Sequence, residues 1–181
     1  MVSLLLLLPS GSTLAANPED VQKLLTIGEC NGCDLSEANL YNFILEGARL
    51  SGANLAAAAL QGSNLNLARL DKANLQKANL AMVKLQGANL READLSGANL
   101  FTTDLTNADL TGANLKEADL ERANLEGANL TNADLRGANL SKVKLTGARL
   151  TGAKLTGTIM PDGKGYQPGP SNPIGNPSLS R

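Results

Sequence analysis

Residues 113–120 read Ala113-Asn114-Leu115-Lys116-Glu117-Ala118-Asp119-Leu120, two consecutive copies of one five-residue unit. The unit is a small residue, then Asn or Asp, then Leu, then two variable residues. It extends far in both directions. Leu stands at every fifth position from Leu35 to Leu155 without interruption, and Met160 takes the next place. The position two before each Leu is small, usually Ala, and Gly is frequent two after it.

Neither common periodicity accommodates this spacing. On an α-helix a five-residue step rotates each Leu by about 500°, so no apolar stripe forms. On one straight strand an odd step sends successive Leu side chains to opposite faces. A coil with corners does fit. Positions −2 and 0 relative to Leu face inward, −1 faces out, and +1 and +2 turn a corner. Gly, Asn and Asp suit such corners because they tolerate positive φ or bond their own backbone.

The exceptions give the number of sides. Between Ala38 and Ala153 the inward −2 position departs from Ala at Phe43, Ser63, Val83, Thr103 and Val143, all separated by multiples of 20. A single column of non-Ala residues implies four pentapeptides per turn, with these five side chains stacked along one inner corner. The expected fold class is therefore all-β, a four-sided β-helix of about six coils. At the spacing between strands this makes a rod about 30 Å long. Stacked Leu and Ala fill its axis, and in-register Asn side chains can form ladders between coils.

These runs of A(N/D)LXX resemble the pentapeptide-repeat superfamily, over about residues 31–160. The resemblance implies a right-handed quadrilateral β-helix. It also implies a protein whose biochemical activity is seldom known. Such proteins are numerous in cyanobacteria, and several look destined for the periplasm or thylakoid lumen. A minority bind DNA gyrase as mimics of DNA, and some dimerise end to end.

The flanks divide the chain further. Residues 1–16 read as a signal peptide: Leu4 to Leu8 form an apolar core, Pro9 and Gly11 break it, and Thr13-Leu14-Ala15-Ala16 offers small residues for cleavage. No Lys or Arg precedes the Leu run, and the run is too short to span a bilayer. Residues 17–29 read as a capping helix, with Asn17 as N-cap, Pro18 in the first turn and Gly28 as the stop. That helix would cover an exposed sheet edge. Residues 30–160 are the repeat. Residues 161–181 hold five Pro and four Gly, and read as a mostly disordered tail whose first part, Pro161 to Tyr166, folds over the last coil. No helix is expected to cap this end, which leaves the C-terminal coil free to pair with a second copy in a homodimer.

Cys30-Asn31-Gly32-Cys33 has CxxC spacing. In repeat register both sulfurs face inward. Three readings stay open: buried structural thiols, a structural disulfide across the turn, or thiol–disulfide exchange. Export would favour the disulfide. Two Cys alone do not make a zinc site.

Composition narrows the function classes. The chain has no His, which removes the commonest general base and metal ligand, and no Trp. Its 16 basic and 17 acidic residues give a net charge of −1, with no global field for nucleic acid or anionic membrane. The charges are banded. Basic residues dominate from Arg49 to Arg91, nine acidic residues oppose Lys116 and Arg122 from Glu92 to Asp134, and every charge from Arg136 to Lys154 is positive. Outward apolar residues are few, and Tyr41, Ala56, Ala57, Ala59, Ala81, Met82 and Phe101 are expected to gather around one side and corner as a contact patch.

No acid, base and nucleophile converge, so no catalytic residue, cofactor, metal or small-molecule substrate is assigned. The sequence reads as a non-enzymatic structural or protein-interaction scaffold in an exported compartment, the periplasm or thylakoid lumen. The alternative is a cytoplasmic gyrase-binding DNA mimic, and the next is thiol–disulfide exchange through Cys30 and Cys33.

Overall fold

The fold is seen in a computed structural model, which describes residues 16–167. Of the signal-peptide reading of residues 1–16, all but Ala16 lies outside these described residues, as does the tail beyond residue 167.

The repeat winds into a coil that returns to the same side every 20 residues. Parallel bridges join Asn54 to Asn74, Asn74 to Asp94, Asp94 to Asn114 and Asn114 to Asp134 on the first side. Equivalent columns run from Asn39 to Ile159 on the second, from Ile44 to Lys144 on the third, and from Glu29 to Arg149 on the fourth. The backbone explains why this closes. The Leu100 N–H donates to the Asp119 carbonyl (2.7 Å) in the next coil, and the Asn99 N–H donates to the Ala78 carbonyl (3.0 Å) in the previous one. The Gly97 N–H reaches the Lys116 carbonyl (2.8 Å), and the Ala98 N–H closes the corner on the Leu95 carbonyl (3.0 Å). Each short side is thus paired above and below, as buried backbone requires.

Every +2 position from Gly32 to Gly157 adopts positive φ, between 55° and 75°. Twelve of these corners are Gly and fourteen are not. The helical winding imposes the left-handed corner on Leu67, Met82 and Thr102 as firmly as on Gly, although a bulky or β-branched residue resists it.

Inside, Leu and Ala stack in unbroken columns, and Leu35 to Leu140 are almost wholly excluded from solvent. Polar members of the core are satisfied locally. The Ser63, Thr103 and Thr158 hydroxyls donate to the carbonyls of Leu40 (2.5 Å), Leu80 (2.7 Å) and Leu135 (2.7 Å), each 23 residues earlier. The expected inner column therefore holds for Ser63, Val83, Thr103 and Val143, which are buried. Phe43 departs from it, being 37 % exposed. Phe43 belongs to the first coil, and its neighbour Ile44 bridges only upward, to Asn64. The phenyl ring therefore lies at an end of the axis instead of inside it.

Helix α1, Pro18–Ile27, precedes the first coil. The Asn17 side chain accepts the Glu19 N–H (3.0 Å), and Gly28 ends the helix in the left-handed conformation with its N–H on the Leu24 carbonyl. α1 is tied to the first side of the coil at two points. The Asn17 N–H donates to the Asp34 carbonyl (3.1 Å), and the Asp34 N–H donates to Asp20 Oδ2 (2.9 Å). Leu24 is buried against the core. At the other end the chain turns back on itself. Gly165 pairs antiparallel with Ile159, the Tyr166 N–H meets the Thr158 carbonyl (2.7 Å), and Tyr166 packs on the core.

Candidate functional site

The outward positions form ladders. On the first side the Asn54 amide donates to Asp34 (3.0 Å), Asn74 to Asn54 (3.1 Å) and Asn114 to Asp94 (2.9 Å). Carboxylates in these ladders also accept from the turn that follows them. The Ser36 hydroxyl and N–H hold Asp34 below the usual carboxylate range. Burial pushes Asp94, Asp104 and Asp109 upward, but hydrogen bonds to each prevail and lower them. Such carboxylates stay ionised and are poor proton donors at neutral pH.

The charge bands found in the sequence are stitched together across coils. Arg91 meets Asp109 (3.1 Å), Lys142 meets Glu121 (2.9 Å) and Lys154 approaches Asp134 (3.9 Å). Asp134 carries the most cations, with Arg136 at 2.7 Å and Lys116 at 3.6 Å. A shallow depression is lined by Lys116, Glu117, Arg136 and Gly137 beside this cluster. Its two cations, Lys116 and Arg136, are both engaged by Asp134.

The seven residues of the expected contact patch fall around the second side. Tyr41, Ala81, Met82 and Phe101 lie on the corner after it, Ala59 at its centre, and Ala56 and Ala57 on the corner before it. Tyr41 is 57 % and Met82 62 % exposed, while Phe101 is half-buried with the Arg122 guanidinium 5.9 Å above its ring. Two further features sit on the same corner. Gln61 Oε1 and Thr102 Oγ1 are buried without a hydrogen-bond partner, and they are the pair with that property among the described residues. Thr102 also has a φ of 55°. The patch list missed Ile44, 82 % exposed on the third side, and Leu67, exposed on the corner beyond it. Their register marks both as outward, so the signal was present.

Cys30 and Cys33 are buried and joined in a disulfide, with Cα atoms 5.2 Å apart. The bond lies directly under α1. The Asp20 carbonyl oxygen is 3.2 Å from Cys30 Sγ.

Eight copies of the pentapeptide-repeat family model match the chain, within residues 33–71, 48–87, 68–107 and 123–160. The chain belongs to the pentapeptide-repeat family. Membership implies the right-handed quadrilateral β-helix, in agreement with the 20-residue return of the bridges. Among solved structures, the chain is similar to HetL, a pentapeptide repeat protein involved in heterocyst differentiation regulation from the cyanobacterium Nostoc sp. strain PCC 7120. Identity is 38 %, over 76 % of this chain and 72 % of that one, with a TM-score of 0.33. A pentapeptide repeat protein from the Arabidopsis thaliana thylakoid lumen is 29 % identical over 62 % of this chain and 68 % of that one, with a TM-score of 0.32. QnrB1, a plasmid-mediated fluoroquinolone resistance protein, is 17 % identical over 70 % of this chain and 67 % of that one, with a TM-score of 0.46. No curated protein matches. No helix among the described residues is long and apolar enough to cross a membrane.

Proposed function

We infer that this pentapeptide-repeat protein is a non-enzymatic scaffold that binds another protein through its second side and the corner after it. One observation carries the reading. From Asn39 to Thr102 that side and corner bear no charge in four successive coils, and charge returns only with Asp119, Glu121 and Arg122. Interface cores are depleted in charge and enriched in aromatic residues and Met, which here are Tyr41, Met82 and Phe101. Thr102, left-handed and with a buried unpaired hydroxyl, marks a local cost of the kind retained at functional surfaces. The inward positions are consumed by packing, and Asp34, Asp94, Asp109 and Asp119 by ladders, which supports a binding role over a catalytic one.

A photo-crosslinking side chain at position 82, compared with one at position 111 on a different corner, tests this in periplasmic or luminal extract. Capture of one reproducible protein from position 82 alone is expected. Equal capture from both positions, or turnover of a substrate by the pure protein, would overturn the reading.

In this picture about six coils form the rod, α1 closes its first end, and the C-terminal coil pairs with a second copy. Sedimentation of the full chain should then give twice the chain mass, and a monomer at all concentrations would remove that contact. The Cys30–Cys33 bond and the leader-like residues 1–16 support an exported location. N-terminal sequencing of native protein should find a start at Ala16 or Asn17. The gyrase-binding reading needs a continuous negative surface, whereas columns here mix signs, as in Lys84, Asp104 and Lys144.

A further inference from the structure

We propose that Cys30, Cys33 and Asp20 form a binding site for a thiophilic divalent cation such as zinc once the disulfide is reduced, so that the bond which closes the first turn of the coil gives way to a metal that also ties α1 to it through Asp20. CxxC supplies only two donors, and the sequence offers no His to complete a set. The fold supplies a third. α1 crosses the first coil so that one Asp20 oxygen and both sulfurs all lie within 4.8 Å of one another. Tetrahedral zinc has bonds of about 2.3 Å to sulfur and about 2.0 Å to oxygen, which puts its donors roughly 3.5–3.8 Å apart. Opening the S–S bond frees the two sulfurs, on Cα atoms 5.2 Å apart, to rotate toward that spacing.

The surroundings fit a staple. Asp20 Oδ2 already accepts the Asp34 N–H (2.9 Å), which orients the carboxylate beside the sulfurs. Both cysteines are buried, which shields metal–thiolate bonds from water. Three protein donors leave a fourth position, which one water reaches from the partly exposed Asp20 side, away from the buried sulfurs.

The chemistry balances with a dithiol as reductant. The dithiol gives two electrons and two protons to the Cys30–Cys33 bond and closes to its own disulfide. The cation then displaces both thiol protons to solvent, so binding weakens as pH falls. Exchange with a small disulfide reverses this: it takes two electrons from the thiolates, re-forms the Cys30–Cys33 bond, leaves as its dithiol with two protons from solvent, and the cation is released.

The test uses the full chain, reduced with a small dithiol, freed of it without air, and titrated with zinc alone or with cobalt as a spectroscopic probe. One metal per chain is expected, with a thiolate-to-cobalt charge-transfer band and proton release. Asp20→Asn still offers an oxygen to the Asp34 N–H, so its oxidised form should melt like the parent. Its reduced form should bind zinc about tenfold or more weakly. The oxidised parent should bind no metal at this site. Equal zinc affinity in the reduced parent and Asp20→Asn would overturn the proposal, as would one metal per two chains or no cobalt–thiolate band.

Discussion

The Asn107 side-chain oxygen occupies the space that a Cβ on Gly127, one coil later, would need. Both residues are left-handed corners, with φ of 57° and 69°. Asn42 and Gly62, and Asn132 and Gly152, repeat the arrangement. Gly127→Ala therefore meets both a steric block and an unfavourable φ. Gly52 has a similar φ of 66° and open space around it. Gly52→Ala should cost about 1 kcal/mol, and Gly127→Ala about 0.5 kcal/mol more, because the exposed Asn107 amide must turn aside. Replacing Asn107 by Gly in the Gly127→Ala background should recover the excess, measured by denaturant titration. Equal costs at Gly52 and Gly127 would refute the stacking argument.

Leu100 and Leu120 lie one coil apart in the same column, and both are wholly buried. Leu120→Lys places an uncompensated charge in an axis of Leu and Ala and should destabilise by at least about 3 kcal/mol. Lys116 points out to Asp134 at 3.6 Å with a substantially exposed side chain. Lys116→Ala should change stability by no more than about 0.5 kcal/mol. Thermal melts that coincide for the two variants would contradict the inward and outward register.

Asp134 gives a pH signature. Arg136 donates to it through Nε (2.8 Å) and Nη2 (2.7 Å), and this holds its carboxyl down to about 2 against the opposing effect of burial, with the Arg136 N–H and the charges of Arg136 and Lys116 adding to it. A carboxyl lowered in the folded chain contributes stability that is complete above its unfolded value of about 3.9. That contribution fades as pH falls through about 2. Asp134→Asn should therefore melt lower than the parent at pH 6, with the difference shrinking between about pH 4 and pH 2. A difference independent of pH would show that the ion pair does not stabilise the fold.

Thr102 combines positive φ, a β-branch and a buried unpaired hydroxyl. Thr102→Gly relieves all three and should stabilise by about 1 kcal/mol. If Thr102 belongs to the contact surface, the same variant should weaken capture of the partner while it raises the melting temperature. A lower melting temperature would mean that the Thr102 side chain stabilises its corner.

The repeat told much of this in advance. An inward Leu every five residues and an exceptional column every 20 sufficed to predict the four sides, the buried Leu and the Asn ladders, because each inference needs only the backbone's handed corner and the exclusion of water. Asn17, Pro18 and Gly28 likewise announced α1 through local capping chemistry. Phe43 was misread for a physical reason. Register says which way a side chain starts, whereas burial depends on whether a coil or cap lies beneath it, and that is a property of the end.

The sequence by itself determined the coil, its core and its outward charges, since these follow from spacing and nearest neighbours along one axis. Three things were decided only by the tertiary structure. Residues about one coil apart became neighbours in partnered ion pairs such as Lys142 with Glu121, 21 positions earlier (2.9 Å). Gln61 Oε1 and Thr102 Oγ1, on one corner, came to be buried without a hydrogen-bond partner. Asp20, ten residues before Cys30, came to rest beside both sulfurs. Contacts across coils depend on how far the chain travels around the axis before it returns, and contacts with α1 depend on the angle at which that helix crosses the first coil, which no local spacing encodes.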